Sequence, residues 1–272
     1  MLSIGAETLP FELLLMDIGT LVVGYVLFKA NKKISLNYTA SQVLGTAIII
    51  SSFLVRNTEY AGFAGAVFAA GFLAKLGVFP FMWMRSTLSK TKAILGLVLC
   101  SQIAIVLLTS AISKEMMDRN ALMFFGLLAA VFSSIRAIYD KKTKSSMSSI
   151  IVAQTASVFV SLSMLSPLSM LITLVSDLLA KFTILFSEER KDDVAQILAA
   201  LYLAELPPFP TFSEQLEVLQ VSLNIGIVIN IIGLLLMVAL LMHRVKGGKS
   251  LGARMAGVVL VVLGLVSLMS RI

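Results

Sequence analysis

Five ionisable side chains stand inside long apolar stretches: Asp17, Lys75, Asp177, Lys181 and Glu205. On insertion scales a charge at the centre of a membrane helix costs ~2.5–3.5 kcal/mol. Five such charges total well over ~10 kcal/mol unless they are paired or hydrated, so they are expected to face the interior of a helix bundle. A low dielectric penalises the charged form of acids and bases alike, which brings both toward a range where protons exchange. Ionisable groups spaced through a bundle in this way are the material of a proton relay, and these five are the candidate site residues. Asp177 and Lys181 are four positions apart on one helix and can also meet as a neutralising ion pair. Lys75 has no partner in its own stretch and lies five residues before Pro80. Lys29 is too far along the helix to reach Asp17, whose partner must come from another helix. Glu205 stands two residues before Pro207, where a helix break would open it to water. Glu12, Glu214 and Glu217 fall nearer the ends of their stretches and are expected to be solvated. Gln102 and Gln154 are expected to bridge helices by hydrogen bonds.

Other chemistries are poorly provided for. The one cysteine, Cys100, and the one histidine, His243, lie in or at the end of apolar runs. They leave no basis for a disulfide framework, a metal cluster or a serine triad. There is no glycine-rich nucleotide loop, so no cofactor and no metal is expected.

The elements that must position these residues follow from composition. Of 272 residues, 58% are hydrophobic and 14% charged, and the mean hydropathy is +0.96. A soluble domain carries roughly 25% charged residues, so this chain lacks the polar surface to coat a water-soluble fold. The expected fold is an all-α membrane protein, a single helical domain over residues 1–272 with lipid as its main solvent. Ten stretches approximate the length of a membrane-crossing helix: 9–29, 36–54, 60–84, 91–112, 120–139, 146–165, 168–187, 194–220, 222–243 and 250–270. A barrel would need alternating polarity, which runs such as GTAIIISSFLV lack. Two stretches are expected to break at proline, one at Pro80 and one at Pro207, Pro208 and Pro210.

The net charge of +7 is confined to short connections, which argues for membrane orientation rather than nucleic-acid binding. Lys29, Lys32, Lys33, Arg85, Lys90, Lys92, Arg136, Lys141, Lys142, Lys144, Arg190, Lys191, Arg244, Lys246 and Lys249 follow odd-numbered stretches. Only Arg56, Lys114 and Arg119 follow even-numbered ones, so the odd-numbered stretches are expected to end on the cytoplasmic or matrix side. The N-terminal segment MLSIGAETLPFELLLMDIG has no basic region and two acids, and reads as neither a secretory signal nor a transit peptide. It suits a protein of the mitochondrial inner membrane made inside the organelle, or of a bacterial inner membrane.

Four segments carry a family resemblance. The run Ala74-Lys75-Leu76-Gly77-Val78-Phe79-Pro80-Phe81-Met82-Trp83 resembles a signature of the antiporter-like membrane-arm subunits of respiratory complex I, NADH:ubiquinone oxidoreductase. Leu206-Pro207-Pro208-Phe209 with Phe212 resembles the leucine-proline-proline segment of that family's second broken helix. KKTKSSMSSIIVAQTA, from Lys141 to Ala156, is similar to its loop and helix of lysine, serines and then histidine or glutamine. Asp17 stands at the distance from the basic loop at Lys32 that the family gives to an early-helix glutamate. The register implies an antiporter-like module lacking its first helices, which are either lost or encoded as a separate chain.

The resemblance implies a proton-translocating subunit in which Asp17 and Lys75 form the pair whose separation drives the proton. It implies other membrane-arm subunits and the lipid bilayer as partners, with no nucleic acid and no small-molecule cofactor. The chain departs from the family in three places: Gln102 and Ile103 stand where a central lysine is expected, Gln215 where another is expected, and Glu205 in place of a glycine. Either Lys181, Asp177 and Glu205 then substitute for the missing lysines, or a water chain bypasses the gaps. Two other classes fit the same residues: a structural membrane-arm subunit that no longer pumps, and an independent cation/proton antiporter subunit.

Overall fold

In the computed structural model the described residues are 17–29, 31–78, 83–88, 119–162, 164, 167–207, 209–243 and 251–269. They form helices joined by turns, and no strand occurs among them. The helices are α1 (residues 17–29), α2 (Lys32–Arg56), α3 (Ala64–Leu76) after a 3₁₀ turn at Ala61–Phe63, and α4 (Trp83–Leu88). There follow α5 (Arg119–Tyr139), α6 (Thr143–Leu162), α7 (Pro167–Arg190), α8 (Asp193–Leu203), α9 (Pro210–Val221), α10 (Leu223–Met242) and α11 (Leu251–Met269). Each overlaps one of the apolar stretches expected from the sequence, although α4 runs past the end of the stretch 60–84 into the expected connection. The stretch 91–112, with Cys100, Gln102 and Ile103, lies outside the described residues, as do Glu12, Pro80 and Pro208.

Two described helices, Lys32–Arg56 and Leu223–Met242, are long and apolar enough to cross a membrane. The expected count of about ten spans is not carried by the described helices. Length is one reason. At about 1.5 Å per residue, the 13 residues of α3, the 11 of α8 and the 12 of α9 each fall short of a ~30 Å layer. Sequence is the other: α6 contains seven serine and threonine residues within its first fifteen, and α7 carries Asp177, Lys181, Glu188, Glu189 and Arg190.

The chain divides into two compact units, Met1–Leu128 and Ala129–Ile272. In the first, α2 and α3 pack closely because glycines meet at the crossing. A Cβ on Gly71 would come within 2.7 Å of Ile49, and one on Gly45 within 2.6 Å of the Lys75 stem. The turn into α2 is fixed by Asn31, whose side chain accepts from the backbone N–H groups of Lys33 and Ile34 at 3.0 and 3.2 Å. In the second unit α7 is central, packing against α6, α8, α9 and α11, while α10 covers α6, α8 and α9.

Both units set polar and charged side chains among the apolar residues of their cores and expose large apolar ones. The buried residues include Lys75, Asp177, Lys181, Asp192, Gln196, Glu214, Gln215 and a run of hydroxyls on α6. The exposed ones include a stripe on α10 of Leu223, Ile227, Ile231, Leu234, Val238 and Leu241, and another on α11 of Met255, Val258, Val259, Val262 and Leu265. Apolar surface of this extent calls for a lipid or protein cover.

Candidate functional site

The first unit holds a buried ion pair at the end of a broken helix. Lys75 lies in the last turn of α3 with its side chain fully enclosed, and its ammonium donates to Asp17 Oδ1 at 2.9 Å. Asp17, at the start of the described part of α1, is about one-third exposed. The same carboxylate oxygen accepts a second hydrogen bond at 2.8 Å from Thr46 Oγ1 on α2. Gln42, one turn before Thr46, donates from Nε2 to the Lys75 carbonyl at 2.7 Å. Three helices thus converge on one lysine, and Asp17 finds its partner on another helix, fifty-eight positions away.

The break that follows Lys75 is made by glycine before the chain reaches proline. Gly77 takes the left-handed conformation, φ 71°, and its N–H donates to the Ala74 and Leu73 carbonyls, while the Val78 N–H donates to Leu73. This is a Schellman stop. The Trp83 indole N–H donates to the Ala74 carbonyl at 2.8 Å, and the ring lies so close over Gly77 that a Cβ there would collide with it. Tyr38 packs edge-on against Trp83, with ring centroids 4.9 Å apart. The carbonyls of Leu73, Ala74 and Lys75, which lose their helical partners, are therefore all met by glycine, tryptophan and glutamine. A helix end can persist away from water only on that condition. Lysine, glycine and tryptophan in that run each have a local task.

The second unit repeats the device with a different residue. α8 ends at Leu203, and Glu205 takes the left-handed conformation at φ 55°, although it is not glycine. Its N–H donates to the Tyr202 carbonyl at 3.1 Å, and the Leu206 N–H to Leu201 at 3.4 Å, the same Schellman pattern as at Gly77. Pro207 lies exposed in the turn and Pro210 opens α9, where a missing N–H costs nothing. Here too the prolines follow the stop; Pro210 starts a helix instead of breaking one. Thr211 Oγ1 bonds back to the Tyr202 carbonyl at 2.9 Å, and Gly233 of α10 lets its backbone lie against the Leu203 carbonyl.

Around this break the buried polar groups of the unit collect. Asp177 and Lys181 form the expected ion pair along α7, both almost fully enclosed. Tyr202, fully buried on α8, faces the carboxylates of Glu214, Asp177 and Glu205 and the side chain of Gln154. Glu214 on α9, expected to be solvated near a span end, is instead buried, because α9 is docked against α7, α8, α10 and α11. Glu217 accepts from Ser169 Oγ at 2.6 Å. Gln215 donates to the Gly226 carbonyl and ties α9 to α10.

Sequence reasoning missed several of these groups. Gln42 and Thr46 look like ordinary polar residues of α2, and Tyr202 like an aromatic filler in an apolar run. Asp192 looks like a loop acid, yet it is fully buried, caps α8 through the Ala195 N–H at 3.2 Å, and receives Arg254 Nε of α11 at 2.9 and 3.2 Å. The one available signal was the spacing of Asp192 one residue before an apolar helix, the position of an N-cap.

The five candidate residues thus fall into two groups, Asp17 with Lys75 in the first unit and Asp177, Lys181 and Glu205 in the second. Among the described residues no cluster of three His, Cys, Asp or Glu is arranged to hold a metal ion. Compared with known proteins, the sequence matches no family model and no curated protein.

Proposed function

We propose that this chain is a proton-translocating membrane-arm subunit of respiratory complex I, of the kind of its subunit 2, working in the mitochondrial inner membrane or a bacterial inner membrane. The observation that carries this reading is the enclosed Lys75 ammonium, held by a carboxylate on a different helix at the end of a glycine-stopped helix. A lysine in that setting is stabilised in its charged form by one partner, Asp17. Moving Asp17 away would strand the charge in a low dielectric and drive the proton off. Asp17 is the partner suited to move, since it keeps about one-third of its surface exposed while Lys75 is fully enclosed. The chain supplies no redox chemistry of its own in this scheme, and energy reaches it by conformational coupling from quinone reduction in other subunits. Broken helices bearing charge are the arrangement used where substrate ions cross at membrane depth. The enclosed charges and the exposed apolar stripes support a lipid setting.

One observation favours a second reading, that of a structural subunit that does not pump. Gln215, where the family has a lysine, gives its amide to the Gly226 carbonyl and so links two helices. Extraction in mild detergent tests the family assignment, and flavin- and iron–sulfur-bearing subunits are expected to co-purify with this chain. Purification alone, with cation/proton exchange activity in liposomes, would instead assign it to the independent antiporters.

A further inference from the structure

Thr46 Oγ1 has two acceptors within reach, Asp17 Oδ1 at 2.8 Å and the Gln42 carbonyl one turn back on α2 at 3.3 Å. A hydroxyl carries one proton and can donate to only one acceptor at a time. A threonine inside a helix ordinarily gives that proton to the carbonyl four residues back. Thr155 on α6 and Thr173 and Thr183 on α7 do so at 2.8, 2.7 and 2.8 Å. At Thr46 the same contact is stretched because the hydroxyl is drawn to a carboxylate. A bond to an ionised acceptor is roughly twice as strong as one to a neutral carbonyl. The back-bond is thereby held in reserve. The residue that would receive it, Gln42, also donates its side chain to the Lys75 carbonyl, and Gly45 makes room for the Lys75 stem. Gln42, Gly45 and Thr46 are spaced i, i+3 and i+4, so one face of α2 serves both members of the ion pair.

We propose that Thr46 is a positioning residue, a two-way latch that holds Asp17 against Lys75 and releases it at little cost by turning its O–H back to the Gln42 carbonyl. The inference rests on the reading above, in which Asp17 leaves Lys75, and names what governs that step. With Asp17 in place, its Oδ1 has two donors, the Lys75 ammonium and the Thr46 hydroxyl. The second donor holds a one-third-exposed carboxylate that would otherwise turn to water. When Asp17 swings out, the buried Thr46 hydroxyl needs another acceptor, since an unpaired O–H would add directly to the cost of opening. The Gln42 carbonyl removes that cost. The end of α3 meanwhile stays in place, because Gln42 keeps its side-chain bond to the Lys75 carbonyl and the Trp83 indole keeps its bond to Ala74. Only the acid moves, and one hydrogen bond is exchanged for another.

Labelling of the full-length chain in lipid nanodiscs with acetic anhydride, read peptide by peptide in a mass spectrometer, tests this. Lys75 is fully enclosed, so its amine reacts only when the pair opens. Thr46→Val, which keeps the shape and removes the hydroxyl, is expected to raise the Lys75 labelling rate at least about tenfold, the loss of one hydrogen bond to a charged group. Thr46→Ser, which keeps the donor and both acceptors, is expected to restore the slow rate. Lys181, in the second unit, controls for general loosening and is expected to keep its rate in both variants. In an Asp17→Ala chain, where Thr46 has already turned to Gln42, Thr46→Val is expected to add nothing. A Lys75 rate unmoved by Thr46→Val, a rise shared by Lys181, a fast rate in Thr46→Ser, or a further rise on top of Asp17→Ala would overturn the proposal. If Asp17→Ala does not fold, the contrast between Thr46→Val and Thr46→Ser decides alone. The readout needs no partner subunit, so a failed co-purification strikes the complex I assignment and leaves the latch to be judged by itself.

Discussion

At the scale of single residues, the two partners of the first ion pair are unequal. Lys75 is enclosed on all sides, whereas Asp17 keeps about one-third of its surface. Removing Asp17 strands an ammonium with no water to turn to, and removing Lys75 leaves a carboxylate that can hydrate and still holds the Thr46 hydroxyl. Asp17→Asn is therefore expected to destabilise the protein by about 3–5 kcal/mol, the cost of leaving a buried charge unpaired. Lys75→Met, which fills the same volume with apolar atoms, is expected to cost far less, and denaturant unfolding in detergent compares the two. Glu205 gives the opposite sign. A non-glycine residue in the left-handed region carries a penalty of order 1 kcal/mol, so Glu205→Gly is expected to raise the unfolding midpoint while removing the carboxylate. A lowered midpoint would mean that the side chain, and not the backbone, sets the stability there. The residues of both sites were legible as types, because charge inside an apolar run stands out. Their partners were less legible. Asp177 and Lys181 announce themselves by a spacing of four, but Thr46, Gln42 and Tyr202 reach their targets across helix crossings that no local spacing encodes.

At the scale of elements, both broken helices stop on a residue in the left-handed conformation, with the prolines further on. The stretches and the presence of a break could be read from proline, which cannot continue a helix. The stopping residue could not, since Gly77 is one glycine among seventeen and Glu205 an acid in an unexpected conformation. Gly77 is doubly constrained, by its positive φ and by the Trp83 ring above it. Gly77→Ala is expected to cost at least about 2 kcal/mol, combining the left-handed penalty with a displaced indole. Trp83 is the only tryptophan, so its fluorescence reports the event directly. A red-shifted emission with the variant still folded is the expected outcome, and an unchanged spectrum would show that the ring does not rest on Gly77. The α2–α3 crossing depends likewise on Gly45 and Gly71, and Gly71→Val, meeting Ile49, should part the helices and weaken the Lys75–Asp17 pair with them.

At the scale of the whole molecule, composition foretold the broad apolar exterior that both units display, with leucine, isoleucine and valine exposed along their helices while some charge is enclosed. The number of spans could not be read so directly. Ten apolar stretches were visible, but stops inside two of them yield helices of 11 to 13 residues that cannot cross a bilayer singly. Such half-helices are useful where they end at buried charge, and both do, at Lys75 and at Glu205. Whether Lys75 moves protons is tested most directly by proton translocation per NADH oxidised by the purified assembly carrying Lys75→Met. The expected result is an assembly that forms and oxidises NADH while translocating markedly fewer protons. An unchanged proton yield from a fully assembled variant would contradict it.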